Sequence, residues 1–270
     1  NDTICDGATV SLTGSGGGTY SWNTGATSSG INVNPNTDST FTLIVDIGGC
    51  KDTTTHTVFV NSLPIVNISG NDTICNGDTT VLTATGGGSY SWNVGGNTDS
   101  IIVSPSTTTN YTVTVTDSNN CVNSSNYNVT VNPLPNINIT GNDSICAGLS
   151  TSLTANGATN YFWSTGSTNS AINVNPTTNT TYTVVGTDAN GCSDSTQIQV
   201  FILPQPTAII NGDSIICDGQ SVNLNASGGS SYLWSTSDTS SNIIVNPNDT
   251  TNYSVIVSDA GGCSDTTTYQ

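Results

Sequence analysis

The chain has 270 residues, eighteen acidic side chains that are all Asp, a single base at Lys51 and a net charge of −17. Such a balance repels phosphate and anionic lipid, so nucleic-acid binding and direct membrane insertion are not expected, and ion pairs cannot be what holds a fold together. Only 33% of the residues are hydrophobic, so folding must rest on where the apolar side chains stand rather than on how many there are.

The stretch Asn1–Gly7, NDTICDG, returns as NDTICNG at 71–77, as NDSICAG at 142–148 and as GDSIICDG at 212–219. The cysteines inside it, Cys5, Cys75, Cys146 and Cys217, are 70, 71 and 71 residues apart. Trp22, Trp92, Trp163 and Trp234 keep the same steps, as do Pro35, Pro105, Pro176 and Pro247. A fixed period of this kind marks tandem structural units. The boundaries predicted are 1–63, 64–134, 135–204 and 205–270. The first copy begins without the lead-in that precedes the second, and the last stops before the VFVNSLP-type ending, the pattern expected of a window on a longer array.

Within the second repeat the predicted elements run as follows. PIVNISG (64–70) alternates apolar and polar side chains, as a half-buried strand does. TTVLTATG (79–86), SYSWNV (89–94), DSIIVSP (99–105), NYTVTVTD (110–117) and NYNVTVN (126–132) follow, each short and rich in Val, Ile, Thr and Tyr. The segments between them are Gly-, Asn- and Ser-rich turns. No 3.6-residue apolar stripe occurs. The fold expected is all-β: four tandem Ig-like β-sandwich domains of about 71 residues, each of six or seven antiparallel strands, joined by the short proline-bearing links SLP, NPLP and ILPQP into an extended, semi-rigid rod. In Tyr111–Thr116 the aromatic and valine side chains share one face and the threonines the other. Trp22, Trp92, Trp163 and Trp234 each lie 17 residues beyond their first cysteine and are expected to pack inward over a disulfide; an exposed sugar-stacking platform is the alternative. One residue is missing between Phe41 and Asp46 relative to the other copies, which predicts a disturbed ladder near Leu43–Val45.

The eight cysteines fall two to a repeat, Cys5 with Cys50, Cys75 with Cys121, Cys146 with Cys192 and Cys217 with Cys263. With no CxxC and one histidine, His56, disulfides are favoured over zinc. Connectivity is open on sequence, but a unit that must fold locally favours a bond within itself, contributing roughly 4 kcal/mol in the chain-entropy model. An oxidising, extracellular compartment follows.

The order C-x-G, LTA.GG..YSW..G, I.V.P.T...YTV.VTD..GC and V.V..LP, carried by Cys5, Gly7, Trp22, Pro35, Asp46, Cys50 and their counterparts, is similar to the Ig-like and PKD-like repeats, SprB-type ones included, of long Bacteroidetes surface proteins. The resemblance covers all four units. It implies secretion by the type IX route and a place in the stalk of an adhesin or in a cell-surface filament. Asp-Ser/Thr followed by a small or branched apolar residue or Thr resembles the O-glycosylation motif of that phylum. The acceptors would be Thr3, Ser39, Thr53, Thr73, Thr79, Ser100, Ser144, Ser195, Ser214, Thr250 and Thr266. The competing reading is that Asp-Ser and Asp-Thr are good turn formers.

Asp46, Asp117, Asp188 and Asp259 recur four residues before the second cysteine. They are either turn openers or candidates for structural calcium, which needs several converging oxygens; no other cofactor is expected. No enzyme is expected either. His56 occurs in one copy of four, Glu and Arg are absent, and GSGGG at 14–18 precedes a strand rather than a helix. The function expected is a structural repeat segment, with further repeats, other copies of the chain and surface glycans as partners; a tandem carbohydrate-binding array is the alternative.

Overall fold

The computed structural model describes residues 1–270. It contains strands and turns and no helix. It divides into two compact units, Asn1–Pro133 and Leu134–Gln270, each holding two of the sequence repeats.

The second repeat shows the plan. Strands Asn67–Ser69, Thr80–Thr85 and Ser100–Val103 form an antiparallel three-stranded sheet with Thr80–Thr85 at its centre. Strands Ser89–Trp92, Thr109–Thr116, Val122–Asn132 and Thr73–Cys75 form a second sheet in that order. In Thr80–Thr85 the side chains of Thr80, Leu82 and Ala84 are buried and their neighbours are not. Thr109–Thr116 alternates in the same way through Tyr111, Val113 and Val115. These period-two faces close on each other around one core with Val66, Ile74, Trp92, Val103 and Val129. The result is an Ig-like sandwich with its tryptophan at the end of the fourth strand, Ser89–Trp92. Leu153, Trp163 and Val184 anchor the equivalent core of the third repeat, and Leu224, Trp234 and Val255 that of the fourth.

One edge departs from the all-antiparallel expectation. The signature segment is itself a strand, and it runs parallel to the end of the last strand: Thr73, Ile74 and Cys75 stand opposite Thr130, Val131 and Asn132. Asp2–Cys5 pairs in the same sense with Val58–Asn61, and Ser144–Cys146 with Phe201–Leu203. A chain that crosses from one sheet to the other before its first cysteine meets the exit strand travelling the same way, so the first cysteine of a repeat comes to lie beside that repeat's exit.

The disturbed ladder expected near Leu43–Val45 does not exist. Trp22 opposes Leu43 and Tyr20 opposes Val45, in the register that Trp92 and Tyr90 keep with Val113 and Val115. The pairing of Ser39–Ile47 with Cys50–Asn61 is unbroken up to Ile47 opposite Cys50. The missing residue has been taken out of the turn, where Gly48 and Gly49, at φ of 63° and 95°, close a two-residue hairpin that only residues tolerant of positive φ can make. Removing a residue there leaves every side chain on its own face, whereas a deletion inside the strand would invert them.

Leu82 has no exposed surface, so Leu82→Ala leaves a cavity at the centre of the second repeat. Urea unfolding followed by tryptophan fluorescence should show a loss of about 2–5 kcal/mol. The same change at exposed Val81 should cost a few tenths at most.

Candidate functional site at the repeat junction

Each tryptophan lies inside its sandwich, between 0% and 5% exposed. Its indole N–H donates to the carbonyl six residues on: Trp22 to Ser28 at 2.9 Å, Trp92 to Thr98 at 3.0 Å, Trp163 to Asn169 at 2.9 Å and Trp234 to Ser240 at 2.9 Å. A large apolar ring with one donor can be buried only if the donor is satisfied, and here it also pins the loop that leads to the next strand. No indole face is left for a ligand. In the fourth repeat the same loop holds Asp238, whose carboxyl titrates below the ordinary carboxylate range because it accepts hydrogen bonds from Ser240.

The sulfur chemistry overturns the pairing expected within repeats. Cys5 is bonded to Cys121, with Cα atoms 5.5 Å apart, and Cys146 to Cys263, at 5.6 Å. The first cysteine of one repeat thus joins the second cysteine of the next. Cys75 and Cys192 are also disulfide-bonded, whereas Cys50 and Cys217 are exposed free thiols, not members of the bonds expected for them. The reason is geometric. Cys5 ends a strand at the exit of its own sandwich, opposite Asn61, while the second cysteine sits at the far end of its sandwich, where the last hairpin turns. Within one repeat the two are on opposite ends; across a junction they meet. The tryptophan therefore packs over no disulfide of its own repeat, and the interior is aliphatic instead, with Leu82 and Val113 fully buried.

The hairpin end is built by the recurrent Asp. Asp117 Oδ1 accepts from the backbone N–H groups of Asn119 and Cys121, both at 2.8 Å. Asp188 does the same for Asn190 and Cys192, and Asp259 Oδ1 accepts from Cys263, at 2.9 Å in each case. In the shortened first turn Asp46 Oδ1 accepts from Gly49 at 2.8 Å. These carboxylates are engaged in Asx-type turns, and no group of three or more potential metal-ligating side chains occurs.

The linker itself is held from both sides. Asp6 N–H donates to the Asn61 carbonyl at 2.9 Å, and Asn123 Nδ2 donates to the Pro64 carbonyl at 2.9 Å. In the second unit Ala147 N–H donates to Leu203 O at 3.0 Å, Gln205 Nε2 to Ser264 O at 3.1 Å, and Ala208 N–H to Asp265 Oδ2 at 2.9 Å. Sequence reasoning passed over these clamps, although their signal is present: the residue two beyond each second cysteine is Asp52, Asn123, Asp194 or Asp265. Two clamps and a covalent bond around so short a link leave it no freedom to bend as a coil.

The residues of the glycosylation motif lie in both sheets and turns. Thr3, Thr53, Thr73, Thr79, Ser144, Ser195, Ser214, Thr250 and Thr266 are exposed; Ser39 and Ser100 are half-buried. Several of the accompanying aspartates have structural work: Asp38 Oδ1 accepts from Val60 N–H at 2.8 Å, and Asp72 accepts the Thr73 hydroxyl at 3.2 Å. His56 Nε2 lies 3.0 Å from Asp2 Oδ2.

No family model matches the chain, and no curated protein matches it. Solved structures resemble it in fold. The eight N-terminal Ig domains of Down syndrome cell adhesion molecule align with 99% of this chain at 13% identity and a TM-score of 0.34, the chain spanning 52% of that structure. A Ca²⁺-stabilised adhesin with which an Antarctic bacterium binds ice aligns over 98% of this chain and 94% of its own length, at 15% identity and a TM-score of 0.37. A 1.5-MDa bacterial ice-binding adhesin aligns over 77% and 96%, at 13% identity and a TM-score of 0.29.

Peptide mapping without reduction should recover Cys5 joined to Cys121 and Cys146 joined to Cys263, and alkylation of the unreduced, unfolded chain should label two thiols, Cys50 and Cys217. A Cys5–Cys50 peptide would contradict the junction geometry.

Proposed function

We propose that the chain is a load-bearing structural segment of an extracellular array, the shaft of a surface adhesin or filament, in which each Ig-like unit is bolted to the next. The observation that carries this reading is the bond from Cys5 to Cys121. A disulfide placed to stabilise one small domain would lie inside it; one that spans a junction does its work when neighbouring domains are pulled apart. The oxidised sulfurs fit a compartment outside the cytoplasm. The inward tryptophans favour this shaft over the alternative of a carbohydrate-binding array, since the aromatic side chains that are exposed, Phe59, Phe162 and Phe201, have no aromatic at the matching position in all four repeats.

The family to which the chain is assigned here is the SprB-type repeat class of Bacteroidetes, on the motif order around its Cys, Trp and Pro positions. Its exposed Asp-Ser/Thr hydroxyls are assigned as O-glycan acceptors, a coat that a threonine-rich outer face accepts without disturbing the core. Intact-mass measurement of the native protein should exceed the 27.6 kDa of the polypeptide by discrete glycan increments; a mass equal to the bare chain removes the glycan from the proposal.

Mechanical unfolding tests the central reading. With the bonds intact, residues between Cys5 and Cys121 and between Cys146 and Cys263 lie in closed loops that tension along the chain cannot open. Their sequence separations of 116 and 117 correspond to about 800 Å of extended chain at roughly 3.5 Å per residue. Pulling on the termini should therefore give about 800 Å more extension in reductant than without it. Equal extension in both conditions would sink the proposal.

A further inference from the structure

The first repeat carries an unfilled strand position. In the second, third and fourth repeats a lead-in strand, Asn67–Ser69, Asn138–Thr140 or Ile209–Asn211, lies antiparallel on the strand that follows the first cysteine. In the first repeat Val10–Thr13 pairs only with Gly30–Val33, and its other edge is open. Beside that edge lies a cleft of about 640 Å³ whose walls include Leu12, Gly16, Leu43, Val45, Cys50 and Asp52.

Three details show that the cleft is shaped for a strand of the kind its sister repeats hold. Val115 and Val257 are fully buried beneath the lead-in, whereas Val45, in the same register, is only half-buried. In the third repeat this position is Gly186, and Ile137 of the lead-in takes the space, so strand and floor are complementary in size. Gly86, Gly157 and Gly228 have a lead-in carbonyl, that of Ile65, Asn136 or Thr207, close to where a β-carbon would stand; Gly16 keeps the glycine, at φ of 137°, with no carbonyl against it. Asp52 occupies the place of Asp265, whose Oδ2 accepts the lead-in N–H of Ala208. Asp52 Oδ1 accepts from Thr53 N–H as Asp265 Oδ1 does from Thr266, and Asp52 is part of the cleft wall.

At the rim of the same cleft is Cys50. Its counterparts Cys121, Cys192 and Cys263 are disulfide-bonded and without exposed surface; Cys50 is an exposed thiol at the equivalent point of its hairpin, opposite Ile47.

We propose that this face of the first repeat receives a further repeat of the same kind, whose exit segment adds a strand of the Leu-Pro-x-Val-x-Ile-Ser-Gly type to Val10–Thr13 and whose first cysteine closes a disulfide with Cys50. Backbone pairing on an open sheet edge supplies the contact, and the cleft reads the alternate apolar side chains. The three lead-in strands within residues 1–270 are already paired in their own repeats. Closing the bond removes one hydrogen from each thiol; two electrons and two protons pass to an oxidant that bears a disulfide, which leaves as two thiols. This inference rests on the array reading and names the partner at one of its junctions.

The test is a lengthened chain with a second copy of residues 1–70 ahead of Asn1, which recreates the run Ile-Ser-Gly-Asn-Asp-Thr-Ile-Cys found at 68–75. The number of alkylatable thiols should stay at two, with the added copy's Cys5 recovered joined to the original Cys50. Amide exchange at the original Val10–Thr13 should slow by about tenfold or more as its open edge is paired. Cys5→Ser in the added copy alone should expose the Cys50 thiol while the slowed exchange persists, which separates strand from bond. Four alkylatable thiols, or exchange at Val10–Thr13 unchanged from the shorter chain, would overturn the proposal. Either result obtained while the shorter chain still extends further in reductant would leave the array reading standing.

Discussion

A covalent bond between successive repeats is the constraint on which the rest of the structure depends. The sandwiches are small, their cores rest on a few valines and leucines around one tryptophan, and a surface at −17 with a single lysine offers no ion pairs with which one repeat could grip another. Hydrogen bonds to the linker carbonyls orient the junction, but each contributes only about 1 kcal/mol net. A disulfide closing a loop of over a hundred residues restricts the unfolded chain by about 5 kcal/mol in the chain-entropy model, and because the loop takes in parts of two repeats, that stabilisation belongs to both. Neighbouring units become coupled where tandem repeats are otherwise only additive.

Everything local in the fold serves to bring two sulfurs to one place. The parallel pairing of the signature strand carries the first cysteine to the exit of its sandwich. The Asp turn holds the second cysteine at the opposite end by its own backbone N–H, and the residue two further on reaches back to the linker. Two copies of the peptide, at Cys5 and Cys146, thus each couple their repeat to the next, with the acidic, hydroxyl-rich outer face free for solvent. The buried tryptophan belongs to this economy too: its N–H fastens the loop beyond it, so the ring organises the sheet rather than meeting a ligand.

The first repeat shows how the design tolerates change. Its shortened hairpin keeps an Asp turn, from Asp46 to Gly49 rather than to the cysteine, and keeps the register, because Gly48 and Gly49 absorb the deletion outside the ladder. His56 stands where the second and fourth repeats have Tyr127 and Tyr269, which donate to the lead-in carbonyls of Gly70 and Gly212. The histidine instead meets Asp2, its Nε2 3.0 Å from Oδ2.

The amino-acid sequence by itself determined the class of fold: strands from period-two alternation such as Tyr111, Val113 and Val115, turns from Gly and Asn, and a repeated plan from the spacing of Cys, Trp and Pro. Those signals are local, and strand and turn formation obey local sterics and one-sided burial. The parallel course of Thr73–Cys75 was not legible, since three residues of Thr, Ile and Cys carry no sign of direction. Nor was the disulfide partnership. A bond within a repeat and a bond to the next repeat draw on the same cysteines at the same period, so spacing cannot separate them. Only the tertiary structure decides, by setting the two cysteines of each sandwich at opposite ends and bringing Cys5 to Cys121 and Cys146 to Cys263, at 5.5 and 5.6 Å between Cα atoms.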